Sequence, residues 1–531
     1  MRAATGKARI IQWTPLQAQP KRVLGHRLLS SAAPLQALCP DEQLAQATGA
    51  ALPDVALRQY LNDMGIFDVS FGRIAKPAHL PRHEDIDHQS RPADDHDHSG
   101  TAASKTNRVK STHRQIAVIG GGLSGICSAY FLAAKGYEVA VIERRGHVAE
   151  EATFGDSGLL APGAATPLTL PGGLATFACR FKEEPRVLVA SGADLGRRRW
   201  MRQTRQAQQQ HFAENKLHLS RLSAYGQSLT LQLQAHYNME HENSSGVFHL
   251  FRQPAEAARM GQMQEAAQQC EYKHQGLDAA AMRTLEPAFS SEATLAGALY
   301  YPDDMAGNCV LFAKQMRNAA QQLGVSFHFD STVTAIRAEF GGRVALEVRS
   351  PQLASQLTVD AVVVAAGMSS VPLLQPLATE MPLRALQSYS ALVPVKNPDD
   401  APRMALFDDS YKVAMTRLGG RIRITGLLGF VPPSQTIPPK ALRNLLKIAG
   451  DYYPNAANYN QAHFWSNTMA LLPHGLPLFG PTRHGNIFVN VGHGATGWAA
   501  SVGSARLLSD LVAGDQAEIP VDGFLPGQVL A

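Results

Sequence analysis

Residues 116–130 read IAVIGGGLSGICSAY, and this glycine cluster at the end of a β-branched run restricts the chain more than any other stretch. Gln115 to Ile119 has the composition of a strand buried on both faces, and Ile126 to Ala134 carries alanine, leucine and aromatics at helical spacing. The glycines therefore fall at a strand-to-helix turn. Gly120 permits the tight turn, Gly122 lets backbone N–H groups approach a pyrophosphate, with Gly121 and Ser124 in the same turn, and Gly125 lets the helix pack closely on the strand. Gly136 ends the helix, and YEVAVI (137–142) forms a second strand that runs into Glu143, 23 residues after Gly120. A carboxylate at that place accepts both ribose hydroxyls of an adenosine and repels a 2′-phosphate, which argues against NADP.

A second signal lies near the C-terminus. The strand-like residues 487–490 lead into Gly492-His493-Gly494-Ala495-Thr496-Gly497 and then a segment rich in alanine, serine and leucine. A second helix start thus points at the same ligand. A nicotinamide dinucleotide needs one pyrophosphate site, whereas a flavin gains from N–H groups and a positive helix end near N1 and O2, where negative charge develops on reduction. The expected cofactor is FAD.

A chain of 531 residues, 45% hydrophobic and 18% charged, is long enough for two or three globular domains. No apolar run reaches the roughly 18 residues that span a bilayer. The five cysteines show no metal-like spacing, and their odd number fits a reducing compartment. The net charge of +5 is modest, and no basic stripe interleaved with aromatics points to nucleic acid.

Residues 1–110 read as an appended, largely disordered extension. Before Asp41 there are six Lys and Arg residues and no acidic one, which fits a transit peptide, an over-extended start or a small fused segment. The tract HEDIDHQSRPADDHDH, with His83, His88, His96 and His98, is read as solvated, and no metal site is expected. Beyond it, strand and helix alternate, give way to a polar helical region (197–237), and return to strands. Such an interruption suggests an α/β chain in which a second domain is inserted into a nucleotide-binding one. VDAVVVAAG (359–367) reads as a return to the first sheet, and YKVAMTRLGGRIRITG (411–426) as a β-hairpin of the inserted domain.

With these stretches in place, residues 115–524 resemble the D-amino-acid dehydrogenase small-subunit family, within the glycine oxidase and D-amino-acid oxidase superfamily. The likeness is carried by the glycine-rich unit and its second strand, TFGDSGLLAPG (153–163), AGNCVLFAKQMRNAAQQLGV (306–325), VVVAAGMSS (362–370), the 411–426 hairpin and VNVGHGATGW (489–498), in that order. It implies a Rossmann-type FAD-binding domain with an inserted α+β substrate domain carrying a largely antiparallel sheet. On that basis 111–170, 306–375 and 471–531 belong to the FAD domain, and 171–305 and 376–470 to the substrate domain. The implied reaction oxidises a D-amino or imino acid to a 2-oxo acid and ammonia, with electrons passed to a quinone-type acceptor. The implied location is cytoplasmic; the basic region with Arg197, Arg198, Arg199, Trp200, Arg202 and Arg205 reads either as a peripheral contact to anionic lipid on the inner face of the membrane or as a solvated helix face, and the Arg-rich start leaves mitochondrial targeting as an alternative.

Carried over by position, the likeness puts Gly120, Gly121, Gly122, Ser124 and Gly125 at the pyrophosphate, Glu143 at the ribose and Arg144 near adenine and phosphates. Thr153, Ser157, Gly158 and Leu160 would lie along the isoalloxazine, Val333 at the adenine, Ala366 and Gly367 along the channel, and Gly492, Gly494 and Gly497 over the flavin. Tyr411, Met469 and His493 would meet the substrate. One motif departs from the family: Trp-x-Gly-x-Arg-Pro-x-x-Pro-Asp-Gly is here WSNTMALLPHG, so Asn467, Met469, Ala470 and His474 replace Gly, Arg, Pro and Asp. Asp156 also stands where the family has Asn, and Ser388 where it has Gly. The arginine that would clamp a substrate carboxylate is thus absent. Three readings follow: a dehydrogenase in which Arg384, Arg417, Arg423 or His493 holds the carboxylate, an amine oxidase whose substrate lacks one, and a non-catalytic FAD-binding subunit.

Overall fold

The computed structural model describes residues 114–167, 187–189, 194–254, 260–350, 354–430, 439–494 and 497–529. The N-terminal extension, its histidine tract, Cys39, Cys179, Ala495 and Thr496 lie outside them.

Strand β1 (Gln115–Ile119) enters a six-stranded sheet between two parallel neighbours. One is β2 (Glu138–Ile142) and the other is β12 (Ala361–Val364), the strand read from VDAVVVAAG. The order is β18-β19-β12-β1-β2-β8, with β8 (Ser326–His328) at one edge, β19 (Ile487–Val491) beside β12, and β18 (Leu478–Pro481) antiparallel at the far edge. A continuous apolar sequence suits β1 and β12 because helices or a second layer cover both faces of such a sheet. Ala117, Ile119, Val362 and Val364 pack with a three-stranded antiparallel sheet, β9 (Thr332–Ala338), β10 (Val344–Arg349) and β11 (Ala354–Val359).

Helix α1 (Leu123–Ala134) covers the other face, and its approach to β1 is set by two glycines. Gly120 has φ +111°, and a Cβ on Gly125 would stand 1.9 Å from the Gly120 carbonyl oxygen. No side chain fits between the two backbones.

A ten-stranded, largely antiparallel sheet forms the second layer system. Its main path runs β17 (His463–Leu471), β13 (Arg384–Pro394), β16 (Arg421–Phe430), β15 (Val413–Leu418), β14 (Ala405–Asp408), β5 (Ser244–Phe251), β7 (Gly297–Ala306) and β3 (Leu159–Leu160), with β4 (Val187–Val189) beside β16 and β6 (Gln275–Leu277) beside β7. The β15–β16 pair is the hairpin expected from YKVAMTRLGGRIRITG, in antiparallel register about Gly419-Gly420.

The polar helical region forms α2 (Leu195–Gln210), capped by the Asp194 carboxylate on the Arg197 N–H at 2.9 Å, and α3 (Phe212–Tyr237). The domain reading groups α3 with the substrate domain, yet it packs on the C-terminal helix α6 (Gly497–Ala513), which follows α4 (Cys309–Gln322) and α5 (Pro439–Tyr452) in the chain. A Cβ on Gly226 would stand 1.9 Å from the Ala499 carbonyl oxygen, and one on Gly503 would stand 2.6 Å from that of Leu222. The two helices cross with backbone on backbone, which fixes the start of α6. Trp200 on α2 is buried, donating to the Pro382 carbonyl at 3.0 Å, so it offers no anchor to a membrane. No helix among the described residues is long and apolar enough to cross one.

Candidate functional site

The carboxyl ends of β1, β2 and β12 open into a cavity of about 1060 Å³ that continues to the face of the ten-stranded sheet. Open α/β sheets bind ligands at this edge, because strand ends and helix starts leave unpaired backbone groups there.

Gly120, Gly122 and Ser124 line one end of the cavity. The first intrahelical bond of α1 runs from the Ile126 N–H to the Gly122 carbonyl at 3.0 Å, so the N–H groups of Gly122 and Ser124 precede the helical ladder. That of Leu123 is taken by Thr153 Oγ1 at 3.0 Å. A Cβ on Gly122 would meet only Thr153 Oγ1, at 3.5 Å, so the room beside this glycine belongs to the cavity. Glu143 stands at the end of β2; its carboxylate accepts from the Gly121 N–H and, at 2.7 Å, from the Arg145 N–H. Burial raises its pKa against those two donors. A carboxylate has roughly four lone-pair sites, and two are left for ribose hydroxyls. Helix start, glycine cradle and acid together fit a dinucleotide.

Arg144 also lines the cavity but is tied by Nε to Glu151 at 2.8 Å and by Nη1 to Ser369 Oγ at 3.1 Å. Thr153, Ser157, Val333, Ala366, Gly367, Gly492, His493, Gly494, Gly497 and Met469 are all on the cavity wall. Both helix starts, at Gly122 and Gly497, therefore address one space.

Several expected residues do not line it. Gly121 spends its N–H on Glu143, and Gly125 lies under α1 against Gly120. Gly158 turns at φ +80°, with its N–H on Asp156 Oδ1 at 2.8 Å. Leu160 is in the core and its neighbour Leu159 takes the wall, because side chains alternate along β3. Tyr411 is also off the wall, its ring lying against the Arg252 guanidinium at 4.8 Å. The residue beside it, Lys412, is on the wall instead.

The cations proposed for a carboxylate fare no better. Arg384 pairs with Asp194 at 3.5 Å, and Arg417 binds the Gly419 and Pro398 carbonyls at 3.2 and 3.3 Å. Arg423 binds the Asp156 carbonyl at 3.0 Å and lies over the Trp465 ring. None of the three lines the cavity. His493 does, but burial pushes its pKa down to about 3 and it shares a 2.8 Å hydrogen bond with Ser504 Oγ. A neutral imidazole carries no charge to a carboxylate.

Asn467, which stands where the family has glycine, donates to the Ala152 carbonyl at 3.0 Å and so ties the 152–156 loop to β17. Gly155 makes the room: a Cβ there would stand 2.4 Å from that of Asn467. Phe154 meets Trp465 edge-on at 5.4 Å in the same clasp. Asp156, within this loop, is half-buried on the cavity wall, and desolvation pushes its carboxyl up to about 6 against the Gly158 N–H and the charge of Arg423.

The match to known proteins follows the same boundaries. The family model described as FAD dependent oxidoreductase matches residues 115–511. The D-amino acid dehydrogenase of Neisseria meningitidis serogroup C is 33% identical over 414 residues, 77% of this chain and 98% of the relative. The glycine oxidase structure from Geobacillus kaustophilus superposes with a TM-score of 0.60 at 19% identity, covering 78% of this chain and 98% of the other. The iminodiacetate oxidase structure from Chelativorans gives 0.59 at 17% identity, covering 77% and 98%.

Two outcomes are expected. Gly122→Val should give a folded protein that retains no FAD, since the side chain enters cavity space, whereas Gly125→Ala should lower stability by about 3 kcal/mol or more, because its Cβ meets backbone that cannot move aside. Flavin content and urea unfolding of both variants check this. For Asp156, the folded carboxyl titrates near 6 against an ordinary 3.8, so the native state holds an extra proton between those values and stability falls as pH rises through that window. Asp156→Asn should match wild type below about pH 4 and exceed it by up to about 3 kcal/mol above pH 6, measured by denaturant unfolding at fixed FAD.

Proposed function

Because the chain belongs to the FAD dependent oxidoreductase family, we propose that it oxidises a D-amino acid, or a related imino acid, to a 2-oxo acid and ammonia. The observation that carries this reading is the continuity of one cavity from the glycine-rich turn, past both helix starts, to a wall formed by Gln387, Ser388, Phe407, Ala414, Thr425 and Trp465 of the antiparallel sheet. Fold alone would not license a substrate, since one fold hosts many reactions. The 33% identity to a D-amino acid dehydrogenase over nearly all of that relative's length supports the amino-acid class.

Gly122, Ser124, Glu143 and the α6 start would hold FAD, which when bound would supply a two-electron acceptor for the substrate's Cα–H. The chain's own residues supply position. The neutral amine would give up its Cα hydride, which carries two electrons, and one N–H proton, becoming an imino acid that water hydrolyses to the 2-oxo acid and ammonia. His493 is neutral and bound to Ser504, so it shapes the pocket without clamping charge. Electrons leave to a quinone-type acceptor in this proposal.

A second reading, an amine without a carboxylate, is favoured by one observation: Met469 and Ala470 are on the cavity wall where the family pattern has arginine and proline. Anaerobic bleaching of the bound flavin separates the two. D-Amino or imino acids should reduce it, and amines of the same shape lacking the carboxylate should not; bleaching by the amines alone would favour the second reading, and bleaching by none of the panel would leave the non-catalytic subunit.

Peripheral membrane contact is also proposed, through the exposed Arg198, Arg199 and Arg202 of α2 and the exposed Leu195. Such cations add roughly 1 kcal/mol each at an anionic surface. The protein should co-sediment with vesicles containing phosphatidylserine, and replacing the three arginines with glutamine should abolish this. Equal sedimentation of the variant would place the contact elsewhere.

A further inference from the structure

Among the lysines and arginines on the cavity wall, Arg144 and Arg145 stand beside Glu143 and are both bound to Glu151. Lys412 is the remaining one among the described residues, and it stands at the sheet end of the cavity with Phe407 and Ala414. We infer that Lys412 is the anchor for the substrate's carboxylate, in place of the arginine that the family pattern puts at Met469. The inference rests on the amino-acid reading above.

The local structure is built to present this side chain. The turn from β14 to β15 is gathered on the buried Asp408, whose Oδ1 accepts from the N–H groups of Ser410 at 2.8 Å and Tyr411 at 3.2 Å. Its Oδ2 takes Arg252 Nε at 2.8 Å and the Tyr452 hydroxyl at 2.7 Å. Lys412 then has φ +56°, a conformation that L residues other than glycine rarely adopt and that clusters at functional sites. This kink sends Tyr411 to the core beside Arg252 and Lys412 to the cavity. Lys412 Nζ donates to Asp409 Oδ1 at 2.8 Å, and that oxygen also lies 3.2 Å from Nε2 of the fully buried His249. An ammonium has three donors, and Asp409 takes one while fixing the side chain's direction.

Register separates this anchor from the family's. Ala414 pairs with Thr425, Thr425 with Ser390, and Ser390 with Trp465, so the path from β15 to β17 crosses three inter-strand spacings. At about 4.8 Å each, Lys412 lies roughly 14 Å of sheet away from the strand that carries Met469. A substrate held by its carboxylate at Lys412 therefore turns its other end toward Met469 and Ala470. The substrate class is a monocarboxylate with an apolar side chain.

Propionate, which carries the carboxylate and no oxidisable amine, tests the anchor on the FAD-loaded protein by titration calorimetry, with propionamide as the uncharged control. Lys412→Met and Lys412→Gln should each weaken propionate by roughly ten- to a hundred-fold while propionamide binding and flavin content stay unchanged. Lys412→Arg should keep propionate within about ten-fold. Wild-type propionate affinity in either neutral variant, or an equal loss for propionate and propionamide, would overturn the inference. Since the readout needs no turnover, it separates the two proposals: Lys412-dependent propionate binding with no flavin reduction by any acid sinks the proposed function alone, and reduction by D-amino acids with Lys412-independent binding sinks the anchor alone.

Discussion

The contact between the backbones of Gly120 and Gly125 determines where everything else in the cofactor half of the cavity can be. With a Cβ on Gly125 only 1.9 Å from the Gly120 carbonyl oxygen, α1 sits against β1 at backbone distance. The start of α1 is then level with the carboxyl ends of β2 and β12, which carry Glu143 and the 365–367 turn. Pyrophosphate donors, ribose acceptor and channel wall are thus placed by one approach. The crossing of α3 and α6 at Gly226 and Gly503 repeats the device on the far side and holds the second helix start to the same space.

Electrostatics along the cavity wall follow from how its titratable groups are desolvated. Burial pushes His493 down to about 3 and Asp156 up to about 6, and it raises Glu143 against two backbone donors. Each shift favours the neutral form, as desolvation demands. The paired charges of Arg144, Arg145 and Glu151 lie at the more exposed rim, where ion pairs contribute little. With those pairs at the rim, Lys412, held by Asp409, is the ammonium that the described residues put at the sheet end for an anion.

The parts of this molecule that can be read from sequence are those whose physics is local. A strand, a glycine turn, an apolar helix and a second strand ending in an acid each declare themselves within 30 residues, and β1, α1 and β2 fall where the pattern places them. The hairpin of β15 and β16 is legible for the same reason. What escapes is side-chain parity at irregular positions: Leu159 instead of Leu160, and Lys412 instead of Tyr411, each a shift of one residue. A positive φ at Lys412 breaks the alternation from which parity would be inferred, and no spacing rule announces it. The packing of α3 on α6 is equally silent, because Gly226 and Gly503 lie 277 residues apart in the chain and only the fold brings them together.

Departures from the family pattern make sense in pairs rather than singly. Asn467 in place of glycine would collide with any side chain at 155, and residue 155 is glycine, so the bulk added on β17 is accommodated on the loop it faces. The gain is a hydrogen bond to Ala152 and an edge-on contact between Phe154 and Trp465 that together fasten the loop bearing Asp156 to the sheet. The same strand carries Met469 two residues on, where the family pattern has arginine, and the anchor inferred for the carboxylate, Lys412, lies three strands away. A bidentate guanidinium is directional, whereas an ammonium acts as a point charge with rotatable donors. Such an anchor holds a carboxylate with less control over its angle, and the control has to come from walls. The clasped 152–156 loop and the apolar Met469–Ala470 face are walls of that kind in this chain.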